Sequence, residues 1–403
     1  MRRDFALATA GAAALLVLSQ SARAADITFD GFADFRLVAP ADERSWIDGG
    51  LGKTRYGEGD SNFQFGDAYG QATVLLTPEL VAVAVARADE TQKDFVLPME
   101  GWLRYRPVST TAWRWSVKAG AFFAPFSLEN TEVGWTSHWT LTPSAINSWF
   151  GDELRTIGGE GTLEWRREEG TLSLIGALFG WNDPAGVMIA DRGWTLEDRP
   201  TALFDDLREP DATLAFFHRP SPDTTPIFDE VDHRAGWYAG ADWSDTDDWR
   251  LQAFRYDNEA DPAAHKSDYF AWRTDFWDAG VSKTWEEFTV LAQALTGETI
   301  ITPFPGFTSA TNFASAYALV GWERDDWRLA MRGDLFRTHT GGDSFLSENG
   351  YALTFAATWL PRDWLRLTGE VLYIDSTRDE RIIEGLAPNQ SDTQAQFSLR
   401  FYL

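Results

Sequence analysis

The chain has no cysteine, so no disulfide can form and no thiolate is available as nucleophile or metal ligand. Past residue 24 it has no apolar run near the ~18 residues that a membrane helix needs. The longest such runs are Leu80–Ala86 and Leu174–Phe179. Positive charge is scarce: 35 Lys and Arg stand against 61 Asp and Glu, a net charge of −26. No basic stripe offsets that, which excludes nucleic acid as a partner. Catalytic signatures are missing too, with no Gly-x-Ser-x-Gly elbow and no phosphate-cradling glycine loop. Ser137, His138 and Glu132 make a triad only on paper, because adjacent residues of an extended segment point apart. Asp229, Glu230, Asp232 and His233 match no defined metal spacing and read as a solvated acidic loop. No enzymatic activity, metal or other cofactor is expected.

What the chain has in excess is aromatic: 20 Trp, 28 Phe and 10 Tyr. Its first residues read as an export signal. Arg2 and Arg3 precede the apolar run Phe5 to Leu18, and Ala22-Arg23-Ala24 is a small-x-small cleavage site. Residues 1–24 are therefore set apart as a signal peptide, leaving 25–403. The arginine pair resembles a twin-arginine signal as well as an ordinary charged n-region, and the sequence does not separate the two routes. An exported chain that stays unfolded in an oxidising compartment has reason to avoid thiols.

A repeated signature organises the rest. Trp243, a turn rich in Asp, and Trp249 are followed by alternation; so are Trp322 and Trp327, and Trp359 and Trp364. Looser versions run from Tyr105 to Trp115, from Trp165 to Leu172 and from Trp285 to Phe288, and a turn at Thr77-Pro78-Glu79 lacks the Trp pair. Short polar links between period-two runs are hairpins, and Trp beside each turn suits a membrane interface. Seven such turns imply about sixteen strands. The opposite links are long, near 39–61, 124–154, 182–233, 258–272, 298–310, 339–349 and 376–391. Short turns on one side and long loops on the other describe an all-β transmembrane antiparallel β-barrel, with periplasmic turns and extracellular loops.

The alternation assigns faces. Leu163, Trp165, Trp327, Leu329, Met331, Leu335, Leu365, Leu367, Val371, Tyr373, Met99, Leu103 and Tyr105 point to lipid. Glu160, Glu164, Arg332, Asp334, Glu370 and Glu100 point inward, and so many charges call for a water-filled lumen. Strand 80–90 is apolar on both faces. One face meets lipid or a neighbouring subunit, as in a homotrimer; the other would sit behind an infolded loop.

The last residues, Gln396 to Leu403, alternate strictly, with Phe397, Leu399, Phe401 and Leu403 on one face. This resembles the closing strand of bacterial outer-membrane barrels, which in that family is also read by the barrel assembly machinery. The family usually ends on Phe or Trp, whereas this chain ends on Leu403. Gly120-Ala121-Phe122-Phe123-Ala124-Pro125-Phe126-Ser127-Leu128-Glu129 resembles the strand-to-loop junction of the phosphate-selective porins of types O and P. That resemblance implies a sixteen-stranded porin whose following loop folds into the channel. It covers about ten residues, and this chain departs from the family in being acidic.

Loop 124–154 is then the expected constriction, carrying Glu129, Glu132, Trp135, Trp139, Asp152 and Glu153. Facing it is an inward basic wall of Arg36, Arg104, Arg106, Lys118, Arg250, Arg328, Arg332, Arg366 and Arg400. The two signs could set up a transverse field that selects solutes, or the arginines could pair with inward acids as wall salt bridges. Trp135, Trp139 and Trp149 could stack sugars or anchor the loop by packing. The expected function is passive diffusion of small hydrophilic or ionic solutes, phosphate among them, across the outer membrane of a Gram-negative cell. Lipopolysaccharide would surround the barrel, bridged by cations on its acidic rim. A non-conducting structural or adhesive barrel and a soluble exported β-rich binding protein are the alternatives.

Overall fold

The computed structural model describes residues 26–216, 223–341 and 346–403; the export signal expected at 1–24 lies outside them. Sixteen strands close into one barrel. In chain order they are β1 (Asp26–Ala39), β2 (Phe63–Thr77), β3 (Leu80–Ala88), β4 (Val96–Tyr105), β5 (Trp113–Phe122), β6 (Thr156–Arg167), β7 (Gly170–Gly180) and β8 (Gly236–Asp245), then β9 (Trp249–Asp257), β10 (Arg273–Trp285), β11 (Phe288–Phe304), β12 (Phe307–Arg324), β13 (Trp327–Thr340), β14 (Glu348–Arg362), β15 (Leu365–Arg378) and β16 (Asn389–Tyr402). Every neighbour is antiparallel and consecutive, and β1 closes on β16 from Phe32 opposite Tyr402 to Ala39 opposite Ala395.

The Trp-flanked turns form as the pattern requires. Trp113 stacks on Trp165 with ring centroids 5.6 Å apart, Trp327 on Trp359 at 6.0 Å, and Trp364 on Phe401 at 6.2 Å. Between this ring and the loop side, Leu174, Leu178, Val320, Met331, Leu335 and Phe355 stand exposed on the outer wall. A belt of that breadth is a surface for hydrocarbon, not water.

Three expectations are corrected. Met99 does not face lipid. It is fully buried inside the barrel, because the β3–β4 register shifts at Val85 and Ala86 and inserts Met99 as an extra residue. A bulge of one residue reverses the parity of everything beyond it, so Met99 and Glu100 both turn inward. The link 298–310 is not a long loop. β11 and β12 continue to a two-residue turn at Pro305-Gly306, where Gly306 has φ +88, the left-handed value that a proline–glycine turn of type II demands. The link 89–95 between β3 and β4 is the eighth on the loop side. The lumen, finally, is not simply water-filled. Tyr238, Phe254, Tyr256, Phe276, Leu295, Phe313 and Phe336 line the inner wall of β8 to β13 and pack with loop aromatics into one dry core. The loop-side part of their inner rows is largely aromatic, so it needs something apolar to cover it.

Two features place the loops. α1 (Ala145–Glu153) begins at Ser144, whose hydroxyl accepts the N–H of Asn147, and every residue of it is buried within the barrel. α2 (Val187–Asp191) lies beside it and is buried as well. Removing residues 397–403 takes away β1's partner and leaves a row of unpaired backbone groups in hydrocarbon. The intact protein should migrate anomalously on a gel when unboiled, and the truncated chain should show only the unfolded mobility; a folded-form band from the truncated chain would contradict the seam.

Candidate functional site

The segment after β5 turns into the lumen at once. Pro125 starts the turn, and the hydroxyl of Ser127 accepts the backbone N–H of Glu129 at 3.1 Å and of Asn130 at 2.7 Å. Phe126 enters a nest of rings, with centroids 5.1 Å from Tyr238, 5.2 Å from Phe254 and 5.6 Å from Phe276. Wall charges then seat the loop. Arg332, with no exposed surface, donates to Glu129 at 2.7 Å, to Asp334 at 2.8 Å and to the carbonyl of Thr142 at 2.7 Å. Asp334 accepts the first N–H of α1 from Ala145, and Glu370 accepts those of Leu141 and Thr142. These inward acids bind the loop backbone, each holding N–H groups that would otherwise be orphaned in the interior.

Nearer the turn side, Glu132 lies 2.6 Å from Arg366, 3.7 Å from Arg328 and 2.8 Å from Nδ1 of His138, whose Nε2 sits 3.0 Å from Glu323. Burial pushes the Glu132 carboxyl up, but the His138 hydrogen bond and the Arg366 charge more than offset it and hold it at about 2. Trp135 stacks on Phe123 at 4.2 Å, while Trp139 is buried over Gly321, where any Cβ would collide with its ring. Asp152 and Glu153 face away from the wall arginines. Asp152 pairs with Arg192 at 2.7 Å, and Glu153 accepts the N–H groups of Gly186 and Ile189 at the start of α2. The hydroxyl of Ser137 accepts the N–H groups of Trp139 and Thr140.

The second infolded segment was not foreseen. Residues 182–203, within a link that reads as an acidic rim, are buried from end to end. Trp194 packs at 5.9 Å on Trp149 and donates its indole N–H to the carbonyl of Arg337. Asp198 meets Arg36 at 2.5 Å and Arg55 at 3.2 Å. Burial would raise the Asp198 carboxyl, yet Arg36 and Arg55 hold it well below the usual carboxylate range. The mixture of Arg192, Trp194, Leu196 and Arg199 in an otherwise acidic stretch was the available signal.

Opposite the dry core lies a charged strip. Arg36 and Arg400 share Asp34, Arg55 and Arg87 share Asp89, and Asp67 and Asp198 complete the row. The other wall bases divide. Lys118 is 3.0 Å from Glu160 and Arg250 is 2.7 Å from Asp242, whereas Arg104 and Arg106 have no carboxylate within ion-pair distance among the described residues. On the loop rim Glu230 and Asp232 converge with Asp183, their oxygens within 4.8 Å of one another, while Asp229 is taken by Lys266 at 2.8 Å.

Replacing Arg332 with Ala leaves Glu129 and Asp334 buried without their cation, a loss of about 3–5 kcal/mol. Arg332→Ala should make residues 129–145 cleavable by protease in the folded barrel, with unchanged resistance counting against the seat. The Glu132 clip has the sign of a depressed carboxyl: its contribution is whole above pH ~4.5 and fades as pH falls toward 2. Amide exchange of residues 130–138, corrected for intrinsic rate, should accelerate across that window, and Glu132→Gln should remove the dependence.

No protein-family model matches the chain. No curated protein sequence matches it either. Solved structures do. The in-vitro folded OmpT, an outer-membrane protein of Vibrio cholerae, superposes with a TM-score of 0.55 at 10% identity, covering 95% of this chain and 99% of that one. The outer-membrane channel DcaP of Acinetobacter baumannii gives 0.54 at 8% identity over 95% and 99%. OmpF of Salmonella typhi, solved with daunomycin, gives 0.53 at 12% identity over 94% and 97%. The fold of this chain is that of the sixteen-stranded porin-type barrels.

Proposed function

We propose that the chain is an outer-membrane channel for diffusion of small hydrophilic solutes, exported by residues 1–24 and constricted by 124–154 together with 182–203. The charged strip carries this reading. Along it Arg55 Nε, Asp67 Oδ1, Tyr69 Oη, Arg87 Nε and Arg400 Nε are buried and meet no hydrogen-bond partner among the described residues. Buried polar atoms without a protein partner are ordinarily met by water, so the strip is a hydrated track beside a dry core. Toward the turn side the inner wall carries Arg104, Lys118, Glu164, Arg250, Arg328 and Arg366, all half-buried. The lipid-facing belt supports the outer membrane as location, with insertion by the barrel assembly machinery and lipopolysaccharide around the rim. Alanines 82, 84 and 86 turn outward on β3 and suit the contact of a homotrimer; one OmpT structure is described as a trimer form. Phosphate as the solute rests on the Gly120–Glu129 resemblance alone.

A second reading, a non-conducting structural or adhesive barrel, is favoured by the complete burial of 139–156 and 182–203. Planar-bilayer recording separates the two. Discrete conductance steps with a salt-gradient reversal potential are expected of the channel; a folded barrel that gives none is the second. In the channel, Asp198→Asn removes fixed negative charge from the strip and should move the reversal potential toward anion preference. The shift should shrink in molar salt, where the screening length is ~3 Å.

A further inference from the structure

One inner-wall base without a carboxylate partner among the described residues, Arg104, faces a second cation across the sheet. Arg104 on β4 is directly opposite Lys118 on β5, both half-buried on the inward face. Like charges directly opposite on neighbouring strands destabilise a sheet. Here they do so in a chain of net charge −26, where an acid would be the easier choice. Glu160, next in the row, cannot answer both. One of its oxygens is 3.0 Å from Lys118 and the other accepts the phenol of Tyr238 at 2.5 Å. Glu164 is engaged by Arg114 at 3.8 Å, and Arg106 adds a further positive charge at the end of β4.

One inward row along, Trp102 pairs with Gly120 and Gly120 with Gly158. Gly120 and Gly158 have no side chain to lay over the indole from those strands. Nor could one replace Gly120, whose φ is +137 and whose Cβ would meet the carbonyl of Gly101. The Arg104 guanidinium and the Lys118 ammonium each lie 5.9 Å from the Trp102 ring, so a π face and two cations converge on one half-open patch. The rows are about 7 Å apart, two residues along a strand.

We infer that Trp102, Arg104 and Lys118 form a subsite for a small aromatic carboxylate, the carboxylate between the two cations and the ring on the indole. The inference names a solute class for the proposed channel and in that sense rests on that reading. Binding itself does not require conduction, and the test uses this. Benzoate, acetate and inorganic phosphate are titrated in turn onto the detergent-folded barrel by saturation-transfer or phosphorus NMR, with folding of each variant verified by heat-modifiable gel mobility. Benzoate should bind more tightly than either comparator. Arg104→Gln should weaken it about tenfold, the loss of one charge-assisted contact. Arg104→Lys should retain most of the affinity, and Trp102→Leu should bring benzoate down to the level of acetate while leaving acetate unchanged. Benzoate bound no better than acetate, or equally well by Arg104→Gln, would overturn the subsite. Should Arg104→Gln fail to fold, the Trp102→Leu comparison decides alone. A barrel that binds benzoate but never conducts loses its channel and keeps the subsite; one that conducts without binding benzoate does the reverse.

Discussion

Hydrocarbon offers no hydrogen bonds, so each backbone N–H and C=O of a spanning strand has to find its partner within the protein. An open sheet fails at its two edges, whatever its side chains. The pairing of β1 with β16, residues more than three hundred and fifty positions apart in the chain, removes both edges at once. Everything inside depends on that seam. It encloses the space that the loops fill, and Arg36, Asp34 and Arg400 sit directly behind it. One buried ionic cluster of the lumen is therefore built on the two strands that complete the wall.

The interior uses two chemistries side by side. Against β8 to β13 the loops lay down aromatics, and the gain is apolar area removed from water. Against β1 to β3 and β16 they lay down charges, where desolvation is costly and only close, multiple pairing compensates. Arg332 shows the second strategy intruding on the first, a fully buried guanidinium satisfied by Glu129, Asp334 and four backbone or hydroxyl oxygens. Such contacts are directional, so they fix the height and rotation of a loop that stacked rings alone would leave free to slide.

The architecture was largely legible because it is local. Trp beside short turns, period-two runs and the alternation of 396–403 each report on a few neighbouring residues, and sixteen strands follow from counting them. The inward direction of Arg332, Asp334 and Glu370 was legible for the same reason. Met99 was not, since a bulge is one uncounted residue and only the partner strand reveals it. Pro305-Gly306 carried a turn signal, but 298–310 read as a loop rather than as two strands running on to that turn. The burial of 182–203 lay furthest out of reach. Its acids suggest solvent, and the arginines that neutralise Asp198, at positions 36 and 55, share a space with it only after the barrel exists. Loop 124–154 could be assigned to the lumen, but which acid meets which base could not: Glu129 and Glu132 turn to the wall, Asp152 and Glu153 to the other loop.

The burial of 139–156 and 182–203 also dictates an order of events in time. These segments are held by Arg332, Asp334, Glu348 and Glu370, on β13, β14 and β15. A finished tube would admit them only by threading from an end, across charges that have no partners until the loops arrive. The simpler sequence is that the first half of the sheet carries its loops on its concave side while still open, and the last strands wrap around them. The barrel then closes on its own contents, and the seam forms last. Its slowest step is the meeting of strands most distant in the chain, as high contact order requires.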